Sequence, residues 1–438
     1  MFGVLGCILA FVVFTILCYR KMSTLYITII AAVVVMIFNN MNFVETLLEV
    51  YMKRAGGYIE SYFLMYLWGA ILGRLYSVSG AAVSIAEVLA KTFFRPDDSP
   101  QRRQTLAILV IILAGGILAY GGINLIVLIF TLYPLMLSIF EAADIPKRFV
   151  AGVCMAGIAS FVVSAPGTPQ LANIVAMQFL GTSSMAGLVA GIISCIVEII
   201  VSVYLLNKLI THAKNKGESF AYGEKDIRFE AGQAKPHWFL GLLPLIVMWI
   251  LFNFFNWNIA IAQIVAILIS IVAFYPFLKK HGIIPTLNEG GATACTAILG
   301  VAMVIGFGEV VRQSAGFSVI VDSLIAMNAS PYIKLPVVVA IAAAFAGAAS
   351  AGVVLVLPAL SPIFLNMGIP AAAIHRISTF ACTTLDTVPT NPSMLMVLEY
   401  TGTDLKGGYS AAFISTIVAT TLGTIVCTVI MAVFPNLP

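Results

Sequence analysis

"FVVSAPGTPQLAN", residues 161–173, lies inside a long apolar run, yet it contains two prolines, a glycine and several polar side chains. Proline removes a backbone donor and clashes with the preceding helical turn, so a helix through this stretch must break. We call residues 164–170, SAPGTPQ, the first break. Because a broken helix frees backbone N–H and C=O groups, these groups need partners in the protein or in a bound solute.

The composition indicates a membrane protein. The chain has 438 residues, of which 61% are hydrophobic and 10% are charged. Soluble domains are about 45–50% apolar and about 25% charged. Apolar runs of about 20 residues, long enough to span a bilayer, recur from the N-terminus onward. We therefore predict an all-α polytopic membrane protein.

The sequence lacks the motifs of several other function classes. The seven cysteines stand singly in apolar segments, which argues against a metal site or a disulfide framework. There is no phosphate-cradling loop, no basic stripe for nucleic acid and no nucleophile–base constellation. We therefore expect neither an enzyme nor an ATP-driven pump, and no cofactor, metal or nucleic-acid partner.

Two halves of the chain carry the same order of features. YPLMLSIFEAADIP, residues 133–146, aligns without gaps on LPALSPIFLNMGIP, residues 357–370. Each segment precedes an apolar run that prolines interrupt, and in the second half the interruption is TTLDTVPTNPS, residues 383–393, which we call the second break. Corresponding Gly/Pro-interrupted segments are typical of transporters. We predict a first membrane repeat at 1–210, a cytoplasmic linker at 211–237 and a second repeat at 238–438.

The distribution of Lys and Arg predicts the topology, because these residues favour the cytoplasmic side. We expect both termini outside and the linker inside. Each half should have about five spans, one broken helix and one re-entrant helical hairpin with a glycine-rich middle, near 105–140 and 335–365. An odd number of spans per half makes the second repeat inverted relative to the first.

Two hairpin tips and two breaks should meet near the membrane midplane and bind a small polar solute. The N–H end of a half-helix favours an anion and the C=O end favours a cation. The alternative is that both breaks are kinks whose polar side chains bond freed carbonyls. The predicted substrate-binding residues are Tyr120, Gly121, Gly122 and Asn124 in the first hairpin, Ser164, Pro166, Gly167, Thr168 and Gln170 in the first break, Ser350 and Gly352 in the second hairpin, and Thr383, Thr384, Thr387, Thr390 and Asn391 in the second break.

Ionisable residues inside the predicted spans are candidates for ion coupling, because burying a charge in lipid is costly. Asp386, in the second break, is the first candidate, either by protonation or by binding Na⁺. Glu309 is the second candidate, and a structural ion pair with Arg312 at i+3 is its alternative.

Other ionisable residues are expected to have supporting roles. Glu198 is expected in a scaffold, where packing or a subunit contact explains it. Glu60 should reach water at the outer end of its span. His375 and Arg376 are expected at the outer end of the second broken helix, where they either attract an anion or anchor the helix.

The segment HRISTFACTTLDTVPTNPSMLMVLEYTGTDLKGGY, residues 375–409, resembles the gluconate permease family, including its hydroxybutyrate-permease-like members. GFGEVVRQSAG, residues 306–316, also resembles that family. The family's Asp-Thr-Leu-Pro stretch and its Thr-Gly correspond here to Asp386, Thr387, Val388 and Pro389, and to Thr401 and Gly402. Where the family usually carries a histidine in each break, this chain has Ala165 and Thr390.

The resemblance implies a member of the wider ion transporter superfamily, with inverted repeats, a homodimer and an elevator-like motion. We expect a symporter in the bacterial inner membrane that takes up a small organic carboxylate, such as gluconate or a hydroxy or short-chain acid. The coupling cation is expected to be a proton, with sodium as the alternative. The rival function is a cation/proton antiporter on the same architecture, in which Asp386 binds the ion and no organic solute moves.

Overall fold

The structure is a computed structural model, and the part of the chain that it describes contains helices and no strand. It describes residues 2–437 except for 21, 96, 124, 224, 225, 227–233, 327, 347, 348, 386, 389, 390, 392, 393, 395, 396, 399 and 404–406.

The described residues of the first half form α1 (Phe2–Tyr19), α2 (Thr24–Phe38), α3 (Phe43–Ser79), α4 (Ala81–Phe93), α5 (Pro100–Tyr120), α6 (Leu125–Ala142), α7 (Val150–Ile158), α8 (Leu171–Leu180) and α9 (Leu188–Asn215). One further helical turn, Phe161–Ser164, stands between α7 and α8. The chain bends by 65° between α3 and α4. Gly80, at this bend, has a φ of +75°, which favours glycine.

The described residues of the second half form α10 (Trp238–Asn253), α11 (Ile259–Leu278), α12 (Ile283–Gln313), α13 (Ala315–Ala326), α14 (Pro331–Ala346), α15 (Ala349–Asn366), α16 (Ala371–Thr384) and α17 (Tyr409–Val433). Long helices are followed in each half by a short helix, a helical hairpin and an interrupted helix.

Contacts between helices recur in the two halves with the partners exchanged. Helix α3 packs along α12 and α11, while α12 packs along α3 and α2. Helix α4 contacts α10, as α13 contacts α1. The first hairpin packs on α7 through α5, and the second packs on α16 through α14. Helices α9 and α17, which end the two halves, pack against each other.

Several helices are long and apolar enough to cross a membrane. Among the described residues these are Pro100–Tyr120, Lys147–Ser164, Leu188–Asn215, Ile259–Leu278, Ile283–Gln313 and Tyr409–Val433, and α3 with α4 adds one more if the bent pair is a single span. Helices α1, α2 and α10 are apolar but shorter. The expected five spans per half depend on such shorter helices and stay a prediction.

The first hairpin is present, and its turn lies at the predicted tip. Helix α5 continues through Gly115 and Gly116, and the chain turns at Gly121 and Gly122. A Cβ added to Gly115 would lie 2.8 Å from Ile158 of α7. These glycines therefore let α5 and α7 approach closely, as small residues do between membrane helices.

The linker packs against the first half where it is described. Arg148 donates from Nε to Glu218 Oε2 at 2.7 Å and from Nη2 to Oε1 at 2.9 Å. Lys147 binds both Asp226 oxygens at 2.8 Å, and the Tyr133 hydroxyl donates to Asp226 Oδ1 at 3.0 Å. The beginning of the linker is thus fixed to the loop between α6 and α7 by ion pairs.

Candidate functional site

The first break is non-helical from Ala165 to Gln170, as its prolines predict. Gly167 has a φ of +73°, and a Cβ there would lie 2.6 Å from Met185 Cε. Its N–H donates to Ser184 O at 2.9 Å, and its carbonyl accepts from Asn253 Nδ2 at 3.1 Å. Glycine is needed at this position both for its conformation and for its lack of a side chain.

The tip of the first hairpin contacts the first break. The Tyr120 hydroxyl donates to Pro166 O at 2.6 Å, and Gln170 Nε2 donates to Ala119 O at 2.8 Å. A Cβ on Gly122 would lie 3.5 Å from Pro169, so Gly122 also lines this contact. The predicted meeting of Tyr120 and Gly122 with the first break is therefore seen in the structure.

Some predicted members of this group lie elsewhere or have local bonds. A Cβ on Gly121 would lie 2.7 Å from Leu245 of α10, so Gly121 provides packing space instead. Ser164 and Thr168 are fully buried, and the Ser164 hydroxyl donates to Phe161 O at 3.3 Å. Asn124 lies outside the described residues.

Arg376, which the sequence predicts at the outer end of the second broken helix, lies on α16 in the protein interior against the first break. Its side chain is fully buried. Its guanidinium donates from Nη1 to Ser164 O at 2.6 Å, from Nη2 to Ser184 O at 3.1 Å and from Nε to Ala186 O at 2.7 Å. No carboxylate pairs with it among the described residues.

His375, the neighbour of Arg376, is also fully buried and binds the helix that follows the first break. Its Nε2 lies 2.7 Å from Asn173 Oδ1, and its Nδ1 lies 2.6 Å from the Thr182 hydroxyl. Because an amide oxygen only accepts, Nε2 carries the proton and Nδ1 accepts from Thr182. Asn173 Nδ2 in turn donates to Thr168 O at 2.9 Å.

The sequence interpretation missed this bridge between the halves. The available signal was an arginine within an apolar helix with no acidic residue close to it in sequence, since such a cation must find acceptors inside the protein. Nothing in the sequence indicated that the acceptors were the carbonyls of Ser164, Ser184 and Ala186.

In the second break, the described hydroxyls form bonds within the helical bundle. Thr383 donates to Phe380 O and Thr384 donates to Ala381 O, both at 2.7 Å, as the kink alternative predicts for these two residues. The Thr387 hydroxyl bonds that of Thr416 on α17.

The remaining predicted residues of the second break are described only in part. Asn391 is buried, and its Oδ1 accepts from Met394 N at 3.1 Å, so it begins the helical residues that follow. Asp386, Pro389 and Thr390 lie outside the described residues.

The second hairpin lies beside the first break through α15, which packs on α8. A Cβ on Gly352 would lie 2.6 Å from the Ala343 side chain, so Gly352 allows α14 and α15 to approach closely. Ser350 is half-buried and hydrogen-bonds Tyr58 of α3. The two residues thus pack the hairpin and contact α3.

Glu309 belongs to an ion-pair cluster between α3 and α12. Arg312 Nε donates to its Oε2 at 2.9 Å, and Gln313 Nε2 donates to its Oε1 at 2.9 Å. Arg54 Nε lies 3.8 Å from the same carboxylate, while Arg54 Nη2 donates to Val354 O of the second hairpin at 3.4 Å. These contacts support the ion-pair alternative for Glu309.

Glu198 is fully buried between α9 and α17 within the single chain, so a subunit contact does not explain it. Helix α9 packs on the turn Phe161–Ser164 before the first break, and Cys195 Sγ lies 3.6 Å from Phe161 O. Glu198 therefore lies on a helix that packs against the first break.

Comparison with known proteins agrees with this fold. A family model described as GntP family permease matches residues 2–433. The chain is 25% identical over 453 residues to the uncharacterized transporter YxjC of Bacillus subtilis strain 168, a match that covers 92% of this chain and 93% of that protein.

A solved transporter has a similar fold. The chain resembles the Alcanivorax borkumensis YdaH transporter, whose crystal structure is described as revealing an unusual topology, with a TM-score of 0.59 and 13% identity. The match covers 89% of this chain and 90% of the other. At this identity the likeness concerns the fold alone.

Proposed function

Because this chain belongs to the GntP permease family, we propose that it is a secondary transporter that takes up a small organic carboxylate together with a cation across the bacterial inner membrane. The family match makes it a membrane transporter and not an enzyme. The class of substrate and the coupling are our proposal.

The observation that carries the proposal is the buried charge of Arg376. Its partners among the described residues are neutral carbonyls, so its positive charge at the first break is not cancelled by a paired carboxylate. A second positive feature is the start of α8, whose first amides have no partner within the helix and carry the positive end of its dipole. Both features favour an anionic solute at the first break.

We propose that the two halves are inverted repeats of residues 1–210 and 238–438, joined by the linker 211–237. The exchanged helix contacts support this relation. The sequence alignment adds independent support. Pairing Pro146 with Pro370 also pairs Gly152 with Arg376 and Gly187 with Ala411, so the contact between Gly187 and Arg376 should recur between Ala411 and Gly152. A Cβ on Gly187 would lie 2.8 Å from Arg376 Cβ, and a Cβ on Gly152 would lie 2.4 Å from Ala411 Cβ.

Within the proposal, the hairpins, breaks, α9 and α17 move as one body against α3 and α12 in an elevator-like motion of a homodimer. Tight packing of α3 along α12 supports their assignment to the static part. Of the predicted binding residues, Tyr120, Pro166, Gly167, Thr168 and Gln170 form a contiguous group beside Arg376, and we propose that the carboxylate binds there.

Uptake by purified protein in proteoliposomes tests the function. A thermal-shift screen of small carboxylates selects the labelled solute, and an inward proton or sodium gradient drives uptake. The proposal predicts accumulation that an ionophore for the coupling cation abolishes. Cation/proton exchange without solute accumulation would instead support the antiporter.

Asp386 is our first candidate for binding the coupling cation at the second break. Asp386→Asn should abolish gradient-driven uptake but leave counterflow of labelled solute, because exchange requires no net cation movement. Glu309→Gln is the matched control and should do less, since Glu309 is ion-paired with Arg312. Wild-type accumulation by Asp386→Asn would exclude Asp386 as the coupling residue.

A further inference from the structure

Glu198 is a buried acid whose charge nothing in its surroundings balances. Its exposed fraction is 0%, and neither carboxyl oxygen has a hydrogen-bond partner among the described residues. An ionised carboxylate without donors or a cation is strongly unfavourable in an apolar interior. The packing around Glu198 therefore accommodates the neutral, protonated acid.

The space for this carboxyl group is provided by a glycine on the facing helix. A Cβ on Gly423 of α17 would lie 2.4 Å from Glu198 Oε1. Ser194 and Ser202, one helical turn before and after Glu198, are buried on the same face of α9. Ser194 lies beside the Cys427 thiol, and the Ser202 hydroxyl lacks a hydrogen-bond partner in the described part of the chain. A polar stripe of three side chains thus runs along the interior face of α9.

The same face of α9 reaches the first break. A Cβ on Gly191 would lie 2.4 Å from Pro166 Cγ and 3.1 Å from Arg376 Cδ. Glu198 follows Gly191 by two helical turns, a rise of about 10 Å. At this separation inside a low-dielectric bundle, the charges of Arg376, of a bound anion and of Glu198 influence one another.

Other titratable groups near this face are few. Helix α17 contributes Cys427, α16 contributes His375 and Arg376, α5 contributes Tyr120, α7 contributes Cys154, and α9 itself carries Cys195. The turn Phe161–Ser164 and the segment Ile414–Val418 have no titratable side chain. Arg376 is thus the permanent cation among these groups.

We propose that Glu198 carries a coupling proton, an inference that rests on the proposed carboxylate uptake. While the anion is bound near Arg376, the total charge favours neutral Glu198. When the anion leaves toward the cytoplasm, the uncompensated charge of Arg376 favours ionisation. The Glu198 O–H bond then breaks, and its proton passes to water on the cytoplasmic side. Binding of the next anion outside is accompanied by proton uptake from outer water, so one proton enters with each anion.

Transport by the variant Glu198→Gln tests this role. The matched control is Glu60→Gln, which changes an exposed glutamate on α3. The amide mimics the protonated acid but cannot release a proton. Glu198→Gln should lose accumulation driven by a proton gradient and should keep counterflow. Glu60→Gln should match the wild type in both measurements. Accumulation by Glu198→Gln at the wild-type level would overturn the proposal, as would wild-type accumulation that follows sodium and ignores the proton gradient.

Infrared difference spectroscopy of the purified protein provides a readout that does not require transport. When the pH is lowered from alkaline to acidic, the wild type should gain the C=O stretch of a protonated buried carboxyl, and Glu198→Gln should lack this change. If the wild type accumulates no carboxylate, the proposed function fails, and this band alone decides whether Glu198 is a proton site. If the band is unchanged in Glu198→Gln, Glu198 is not the protonated carboxyl and the proposal is overturned. This conclusion holds even if the variant transports nothing.

Discussion

Arg376 supplies, from the second half of the chain, a donor for the Ser164 carbonyl, which a continuous helix would have bonded at the first break. Its N–H groups bind the carbonyl of Ser164, at the start of the first break, and the carbonyls of Ser184 and Ala186, in the loop before α9. Burying carbonyl oxygens without donors costs about 1–3 kcal/mol each, so this arrangement makes a broken helix tolerable inside a membrane protein. The same residue leaves a positive charge at the break.

Arg376→Lys should lower the free energy of unfolding by about 3 kcal/mol, because one ammonium group cannot reach three carbonyls in a planar fork. Arg376→Ala should cost more. Chemical unfolding in detergent measures the change. The control is Arg312→Lys, whose half-exposed ion pair should contribute less than about 1 kcal/mol. Equal stability of Arg376→Lys and the wild type would contradict the assigned bonds.

At the scale of the element, the first break depends on Gly167, which has a left-handed backbone and is surrounded too closely to carry a side chain. Gly167 and Gly181 both have positive φ, +73° and +63°. A Cβ at Gly167 would meet Met185 and Tyr120 below 3.0 Å, whereas a Cβ at Gly181 would meet nothing within 4 Å. Comparing substitutions at the two glycines therefore separates the cost of backbone strain from the cost of steric crowding.

Gly181→Ala should cost about 1 kcal/mol of stability, the strain of a left-handed alanine. Gly167→Ala should cost more and should also weaken substrate binding, because it displaces the Tyr120 contact at the site. Thermal unfolding and equilibrium binding of the transported carboxylate measure the two effects. Equal losses in both variants would mean that the space around Gly167 adjusts freely.

The linker is an element whose attachment should depend on pH. Its hydrogen bond to Arg148 lowers the pKa of Glu218 from 4.5. Since the folded pKa is the lower one, this pair's contribution is present above pH 4.5 and is lost as pH falls through the lowered value. A spin label on Ala221→Cys, in the same stretch of the linker, should therefore become more mobile on acidification.

Glu218→Gln should make the same label mobile already at neutral pH, while Glu45→Gln, at the start of α3, should leave it unchanged. Asp144 Oδ1 also binds the linker, because it accepts from Phe220 N at 3.0 Å, so the comparison at neutral pH carries the assignment to Glu218. An immobile label in Glu218→Gln at neutral pH would show that the pair does not hold the linker.

At the scale of the whole molecule, two similar halves cooperate in one site. The first break belongs to the first half, and its anchoring residues His375 and Arg376 belong to the second. If the repeats are inverted, each half alone has an interrupted helix with unsatisfied backbone groups. The second half is then needed before the first break is stable.

The proposed topology places both termini outside and the linker in the cytoplasm. Single cysteines at Ser219 and Asn436 on a cysteine-free background should differ in intact cells: an impermeant maleimide should label Asn436→Cys and should label Ser219→Cys only after lysis. Labelling of Ser219→Cys in intact cells would reverse the orientation. Equal labelling of both after lysis is the control for accessibility.

The helical membrane fold, both hairpins and the first break were predictable because each depends on local chemistry. A sufficiently long run of apolar residues spans a membrane, and the prolines at 166 and 169 interrupt a helix in any tertiary context. The family resemblance in residues 375–409 was likewise visible in the sequence and is confirmed by the match over residues 2–433.

The bridge from Arg376 and the burial of Glu198 were not predictable, because both depend on contacts between distant segments. Glu198 precedes Gly423 by more than two hundred residues, and no local pattern relates them. The packing role of the glycines at 115 and 116 was not predictable for a similar reason, because it depends on their contact with α7.

The anchoring of the first break by Arg376 has a consequence for biosynthesis. A nascent chain enters the membrane from its N-terminus, so the carbonyls of Ser164, Ser184 and Ala186 are inserted long before residue 376 leaves the ribosome. During that interval the first half exists in the bilayer as an unfinished intermediate, with an interrupted helix that lacks the N–H groups of Arg376. The insertion machinery must shelter this segment from lipid until the second half arrives, which makes translation of residues 371–384 the step that commits the protein to its native assembly.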